Sequence, residues 1–277
     1  DRTLNSIGQA EGISVFPTWK FPGQEPVEGV LTLQELSQLS GVPIPQSEDP
    51  TFEPIGNLTV QIGSPLHVPI DAYDPDGGPL SVTVSVANPN LLDAVVLSGN
   101  RSIRIDMQGY GDMVFELFEQ RAPVAAGRVI ELASQTPAGF YDGIIFHRVA
   151  DDFVIQGGDP TGTGTSGSTL GNFDDDFHPD LQHNREGVLS FAKSSDDTNN
   201  SQFFITEVPT RFLDFNHSVF GQLVEGFDVR EAISETSTPE SRGVGPTQKP
   251  DQNITITSID VFDDNENAVV MLKPTGT

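Results

Sequence analysis

Few residues in this chain could carry chemistry, and most of the apparent motifs fail on inspection. Gly162-Thr163-Gly164-Thr165-Ser166-Gly167 has the glycine spacing of a phosphate-binding loop, but Ser168 stands where the lysine is needed, so the stretch reads as a flexible surface loop. There is no Gly-x-Ser-x-Gly elbow to anchor a serine hydrolase. Cysteine is absent, which excludes thiol nucleophiles, disulfides and Cys-based zinc or iron–sulfur centres. The run Asp174-Asp175-Asp176, with His178 and His183 nearby, reads as a solvated face before it reads as a metal cage. Asp71, Asp74 and Asp76 supply oxygens of the kind calcium takes, but without EF-hand spacing or its bidentate glutamate. They stand as a weak calcium candidate against a solvated Asp/Gly turn.

Three blocks remain. The first is Phe146-His147-Arg148-Val149 followed by Phe153-Val154-Ile155-Gln156-Gly157-Gly158-Asp159. The second is Ser201-Gln202-Phe203-Phe204-Ile205. The third is Phe212-Leu213-Asp214-Phe215-Asn216-His217, ending in Val219-Phe220-Gly221. At these residues the chain resembles the cyclophilin family of peptidyl-prolyl isomerases, with the blocks in family order and at family-like separations over roughly residues 104–262. The resemblance implies a mainly β fold, an eight-stranded antiparallel barrel capped by two helices. It also implies a cofactor-free isomerase acting on proline-containing peptides or unfolded proteins.

The residue types suit that chemistry. Amide rotation is opposed by a barrier of ~18–20 kcal/mol because resonance gives the C–N bond double-bond character. An X–Pro bond exchanges unaided in roughly 10–100 s. A catalyst needs an apolar slot for the proline ring, a fixed donor for the twisted amide and groups that grip the flanking backbone, which is differential binding of the transition state. Arg148 offers a permanent cation with a rigid fork of donors. By resemblance it bonds the substrate carbonyl and approaches the prolyl nitrogen, and Gln156 orients it. By the same resemblance Phe153, Val154, Phe204 and Leu213 wall the proline pocket, while Phe203 reads as barrel core. His217 sits at the rim for shape and a hydrogen bond. Ala192 and Lys193 hold the peptide N-terminal to proline, and Gln202 is a further pocket glutamine.

Departures from the family pattern carry expectations of their own. Phe212 stands where many members have tryptophan, which keeps an apolar wall but loses the indole N–H, so weak cyclosporin binding is expected. Val154 replaces a methionine and stiffens the pocket floor. Lys193 replaces an asparagine and is a candidate for favouring acidic residues beside the substrate proline. Gly127-Arg128-Val129 departs from the usual packing of the first barrel helix and puts its stability in question.

These side chains must be positioned by a turn-rich frame. The 277 residues carry 27 glycines and 21 prolines, which favours β structure over a bundle. Residues 1–50 read as an arm in which Phe16, Trp19 and Phe21 pin an extended segment, or line a ligand site. Thr32 and Glu35 form a capping box for a short helix stopped at Gly41, and Pro43, Pro45 and Pro50 follow as a linker. Residues 51–103 read as a small β accessory region, about half an immunoglobulin-type sandwich, similar to bacterial cadherin-like surface modules. Its strands are expected at Leu58/Val60/Ile62, Val82/Val84/Val86 and Ile103/Ile105. Residues 104–277 then form the barrel domain, with a strand through Met113, Phe115 and Leu117, helices over 121–135 and 228–236, and a closing strand over 254–261.

The net charge of −26 argues against nucleic acid and anionic membrane surfaces as partners, and no apolar stretch approaches a membrane span. Such acidity leans towards a periplasmic, secreted or cell-surface home; the start at Asp1 reads as a mature or trimmed form. The rival to an enzyme is a proline-segment binding module of a surface or envelope assembly with incidental turnover. Arg148 favours the enzyme, since a binder could use any donor there.

Overall fold

The computed structural model describes residues 18–21, 23, 25, 27–28, 31–42, 49–52, 54–75, 80–264 and 267–275. The chain divides into two units, residues 1–49 and 50–277. In the first, β1 (Thr18–Trp19) pairs antiparallel with β2 (Val27–Glu28), and α1 (Leu33–Ser40) follows. The capping box is formed as expected: Glu35 N–H donates to Thr32 Oγ1, and Thr32 N–H donates to Glu35. Gly41 closes the helix at φ 69°. Phe16 and most of the proline linker lie outside the described residues, as do the surroundings of Trp19.

The second unit contains a four-stranded sheet and a barrel. The sheet is built from β3 (Thr51–Phe52), β4 (Leu66–Tyr73) and β5 (Leu92–Val96), together with a late strand described below. The barrel begins with β6 (Ser102–Met107) and β7 (Gly111–Leu117), whose inward residues Ile103, Ile105, Met113, Phe115 and Leu117 are fully buried. It continues through α2 (Pro123–Ala133), β8 (Ile145–Phe146), β9 (Arg148–Ala150), β10 (Val154–Gly157), β11 (Val188–Phe191), β12 (Phe203–Thr206) and β13 (Val219–Glu225). Helix α3 (Phe227–Ser234), β14 (Ile254–Phe262) and β15 (Asn267–Pro274) complete the chain. No described helix is long and apolar enough to cross a membrane.

The barrel sheet runs in the order β8-β14-β6-β7-β13-β11-β12-β10-β9. Its two terminal members, β8 and β9, are separated only by His147. One kinked strand therefore pairs with β14 through its first half and with β10 through its second, closing the ring of eight strands that the sequence resemblance implies. Helix α2 starts with Pro123 at its first turn but has no cap of its own. Asp176 supplies one from a distance, its Oδ2 accepting from the amides of Val124 at 2.8 Å and Ala125 at 3.0 Å. The Asp174–Asp176 run is thus not merely a solvated face, because Asp175 also pairs with Lys193. Gly226 begins α3 at φ 81°, where a Cβ would meet Asp112 O at 2.2 Å.

Two expectations need correction. The strands expected at 58–62 and 82–86 are irregular, and the sheet uses 66–73 and 92–96 instead. Strand β4 alternates Leu66, Val68, Ile70 and Ala72 with His67, Pro69, Asp71 and Tyr73, but Pro69 cannot donate to a ladder and argues against a strand inside a sheet. Val60 and Val82 pack onto one face of the sheet without joining a ladder. Second, the accessory region is not confined to 51–103. Strand β15 runs between β4 and β5 (Val270 faces Val68 on one side and Val96 on the other), while Ser102 and Ile103 belong to the barrel. The barrel-facing side of this sheet inserts Val269 and Met271 into the main core.

His67 on β4 is 3% exposed, its ring centroid 4.8 Å from that of Phe118, and its Nε2 has no partner among the described residues. Burial, aided by the charge of Arg121, drives its pKa from 6.5 down to about 3. The unfolded chain therefore binds a proton here at higher pH than the fold does. The resulting stability is full above about 6.5 and declines as pH falls towards 3, by about 1.4 kcal/mol per unit. His67→Leu is expected to remove this component, so urea unfolding at stepped pH should show wild type losing stability faster than the variant below pH 6.5. Parallel curves would locate the acid sensitivity elsewhere.

Candidate active site

Strand register brings the first two blocks together. Gln156 on β10 lies directly opposite Arg148 on β9 and Phe204 on β12, and Phe204 in turn lies opposite Ser190 on β11. Residues in one such row share a face of the sheet. The alternate residues Val149, Ile155, Ile205 and Leu189 fill the barrel interior, so the row stands on the outer face. The same alternation puts Val154 beside Gln156 on that face, where Val154, Phe204 and Leu213 form a buried apolar cluster separate from the barrel core, with Phe153 and Ala192 packed against it. Phe203 is barrel core, as expected.

The half-buried Arg148 guanidinium is held from two sides. Its Nη1 donates to Gln156 Oε1 at 3.3 Å and its Nε donates to Gln248 Oε1 at 2.7 Å. Its carbon lies 5.5 Å from the centroid of the Phe153 ring, at the edge of the apolar cluster. Burial lowers its pKa from the usual arginine value, yet the group remains a cation. A chain of amide contacts extends away from it. Gln156 Nε2 donates to Gln202 Oε1 at 3.0 Å, and Gln202 Nε2 donates to the carbonyl of Ser166 at 2.7 Å.

Ser166 lies in the glycine-rich loop that the sequence suggested was flexible. The structure corrects this. Asp159, fully buried, accepts from the amides of Thr161 at 2.7 Å, Thr165 at 2.8 Å and Ser166 at 3.2 Å, and from the Thr161 hydroxyl at 2.8 Å. Burial alone raises a carboxyl pKa; these donors outweigh it and hold Asp159 down at about 2. Gly158 makes the approach possible at φ 85°, since a Cβ there would meet Ser201 O at 2.3 Å.

The third block closes the apolar side. Leu213 is buried in the cluster, whereas Phe212 is 74% exposed and stacks on Phe153 at 5.7 Å. His217 meets the Phe204 ring edge at 5.4 Å, and its Nδ1 donates to the Phe191 carbonyl at 2.9 Å. Burial lowers its pKa against the opposing effect of that carbonyl, which leaves a neutral, shape-defining ring. Behind Phe204 stacks His183, bridging Ser190 Oγ (3.0 Å from Nε2) and Asp214 (3.2 Å from Nδ1). All three members of this Ser-His-Asp set are buried or nearly so, which makes it a brace for the wall and denies it the exposure a nucleophile needs.

Beside Gln156 and Gln202 a polar cavity of about 470 Å³ opens, lined also by Ala192, Lys193, Asn172 and Asn200. The backbone N–H of Ala192 donates to Gln202 O at 2.9 Å. Lys193 does not offer a free charge. Its side chain is 3% exposed and bonds Asp175 and Asp196 while lying over Phe177, so the expected preference for acidic peptides lacks a basis. The calcium candidate is not assembled: Asp71 is exposed on β4, Asp74 follows its end, and Asp76 lies outside the described residues. Among the described residues no three Asp, Glu, His or Cys side chains gather. Sequence reading missed Gln248, which lies in an irregular Gly/Pro-containing strap between α3 and β14 with no period to mark it. It also missed the anchoring role of Asp159, for which the alternation Thr161, Thr163, Thr165 after the aspartate was a usable signal.

A family model described as cyclophilin type peptidyl-prolyl cis-trans isomerase/CLD matches residues 102–261. Peptidyl-prolyl cis-trans isomerase ppi1 of Schizosaccharomyces pombe is 46% identical over 133 residues, covering 47% of this chain and 84% of that protein. Human peptidyl-prolyl cis-trans isomerase-like 1 is 42% identical over 130 residues, covering 46% of this chain and 76% of that protein. The crystal structure of a cyclophilin type peptidyl-prolyl cis-trans isomerase of Cryptosporidium parvum superposes with a TM-score of 0.54 at 35% identity, over 60% of this chain and 99% of that one. A second structure of that enzyme, in the presence of the dipeptide Ala-Pro, matches equally well.

Because Asp159 gathers the loop amides, Asp159→Ala is expected to free residues 160–167. Hydrogen exchange at Thr165 and Ser166 should accelerate by about tenfold or more, as expected for loss of a bond to a charged acceptor, while exchange in β11 and β12 stays slow. Unchanged protection of those two amides would show that the loop is held by something else.

Proposed function

The chain belongs to the cyclophilin type peptidyl-prolyl cis-trans isomerase family, and on that premise we propose that Arg148 accelerates X–Pro rotation by stabilising the twisted amide against the apolar wall beside it. The proline ring packs on Val154, Phe204 and Leu213, with Phe153 and Phe212 extending the apolar surface. Gln156, Gln202 and the Ala192 segment grip the flanking backbone. Arg148 bonds the substrate carbonyl and directs a further N–H at the prolyl nitrogen. As that nitrogen pyramidalises, its lone pair leaves conjugation and becomes an acceptor, so the guanidinium binds the transition state better than the ground state. No bond is made or broken and no proton is transferred, which fits a neutral His217.

The observation that carries this reading is the clamp on Arg148. Gln156 and Gln248 use only Nε and one donor on Nη1, which leaves others of its five donors for the substrate. The low-dielectric neighbourhood strengthens each contact, and the clamp fixes the fork before substrate arrives. Proline-containing peptides are the proposed substrates; the Ala-Pro dipeptide with the Cryptosporidium enzyme supports that class. Gln248 acts through Arg148 as a positioning residue.

In a protease-free isomerisation assay on a proline tetrapeptide, Arg148→Ala is expected to lower kcat/KM by about 10²–10³, the usual effect of deleting one preorganised charge-stabilising donor. Equal rates would end the proposal. Gln248→Ala should cost roughly tenfold, mainly in kcat, because it loosens a charged hydrogen bond without touching the wall. Cyclosporin should bind weakly, since Phe212 has no N–H to offer. A nanomolar complex would refute that account of Phe212.

A further inference from the structure

The segment through Val82, Val84 and Val86 has the composition of a strand but no ladder. No turn interrupts residues 80–86, and Val82 packs inward while Ser81, Thr83 and Ser85 are exposed, the two-residue spacing of an extended chain. Valine and threonine, which suit a pleated surface, fill most of it. Yet among the described residues none of its backbone N–H or C=O groups forms a hydrogen bond. Such a row of open donors and acceptors is a template for another strand.

This segment forms one bank of a cavity of about 550 Å³. The floor is a face of the four-stranded sheet, with Val68 and Ile70 of β4 and Val270 and Leu272 of β15. The alternate residues of β15, Val269 and Met271, enter the barrel core, so the cavity opens on the side of the sheet turned away from the barrel. The opposite bank carries Phe52, Ile55 and Leu58, all apolar and exposed. In a chain with 40 acidic residues, no charged side chain is found among the described residues that line it. Exposed apolar surface gathered in this way marks a binding site.

We propose that this cavity binds an extended, uncharged, apolar segment of another polypeptide, which adds as a strand alongside residues 80–86. The backbone of the bound segment takes up the open N–H and C=O groups, and its alternate side chains enter the apolar cavity, as in β-strand addition elsewhere. The backbone row favours a polypeptide over a small apolar molecule, which would leave that row unpaired. The uncharged lining rejects charged segments, whose side chains would be buried without a counter-ion. A second copy of this chain is disfavoured, because each copy brings a net charge of −26 to the contact. The site requires no proline in its ligand and stands independently of Arg148. A single consequence rests on the proposed isomerase activity: an unfolded chain held here keeps its X–Pro bonds at raised effective concentration around the proline wall.

The test uses the full chain and a fluorescein-labelled, amidated peptide without proline, Thr-Val-Gln-Val-Thr-Leu. Fluorescence anisotropy should show saturable binding. Methylating alternate backbone nitrogens of the peptide should weaken it by about tenfold or more, since each methyl deletes a hydrogen bond. Replacing the two peptide valines with glutamate should weaken it by about tenfold or more, since a charge must then be buried unpaired. Val84→Asp and Ile55→Asp change exposed side chains on the two banks and should each weaken binding similarly, while isomerisation of a proline tetrapeptide stays unchanged. Arg148→Ala should leave peptide binding intact. Peptide should slow hydrogen exchange of the amides in residues 81–86, a readout that needs no variant. Absence of saturable binding, equal affinity for the methylated peptide, or loss confined to Arg148→Ala would each overturn the proposal. So would self-association of the wild type that Val84→Asp abolishes, which would give the cavity to a second copy.

Discussion

The two-residue period of a β-strand is the constraint on which this molecule depends. It places Arg148, Gln156, Phe204 and Ser190 in one line across four strands and sends their neighbours into the barrel core. A one-residue slip in β10 would bury Gln156 and expose Ile155, so the packing of the core and the alignment of the site enforce the same register. Closure of the ring through His147 adds to this, because neither β8 nor β9 can slide without breaking the other's ladder.

The polar scaffold around the site follows from the same geometry. A guanidinium lying half out of water needs acceptors, and here it finds them in two side-chain amides rather than in carboxylates. A carboxylate would neutralise the charge on which the proposed mechanism relies; an amide oxygen orients the fork and leaves its charge intact. The glutamine chain to Ser166 and the Asp159-held loop extend this orientation, and among the described residues no carboxylate forms an ion pair with Arg148, the charge of Glu240 acting on it only through space. That arrangement is notable in a chain of net charge −26.

Much of this was legible in the sequence, and the reasons are local. Short blocks mark Arg148, Gln156, Phe204 and Leu213 through their resemblance to a known family; the first three lie on strands whose register fixes their direction, and Leu213 ends the short 3-10 turn Arg211–Leu213. The Thr32/Glu35 box was legible because a cap is a contact between residues three apart. What escaped depends on contacts between distant segments. Asp176 caps a helix some fifty residues upstream, Gln248 reaches Arg148 from an irregular strap, and β15 finds its partners in the first part of the same unit. The strands expected at 58–62 and 82–86 failed for the converse reason: an alternating pattern reports a surface to be covered, not a ladder partner.

The placement of β15 bears on how the polypeptide assembles during synthesis. Its two neighbours, β4 and β5, emerge from the ribosome roughly two hundred residues before the strand that must enter between them. Until then they expose unpaired edges facing an empty slot, and the barrel can be complete before that slot is filled. Translation thus leaves this sheet as the last to be completed, with edges open to a holdase or a neighbouring nascent chain until β15 arrives.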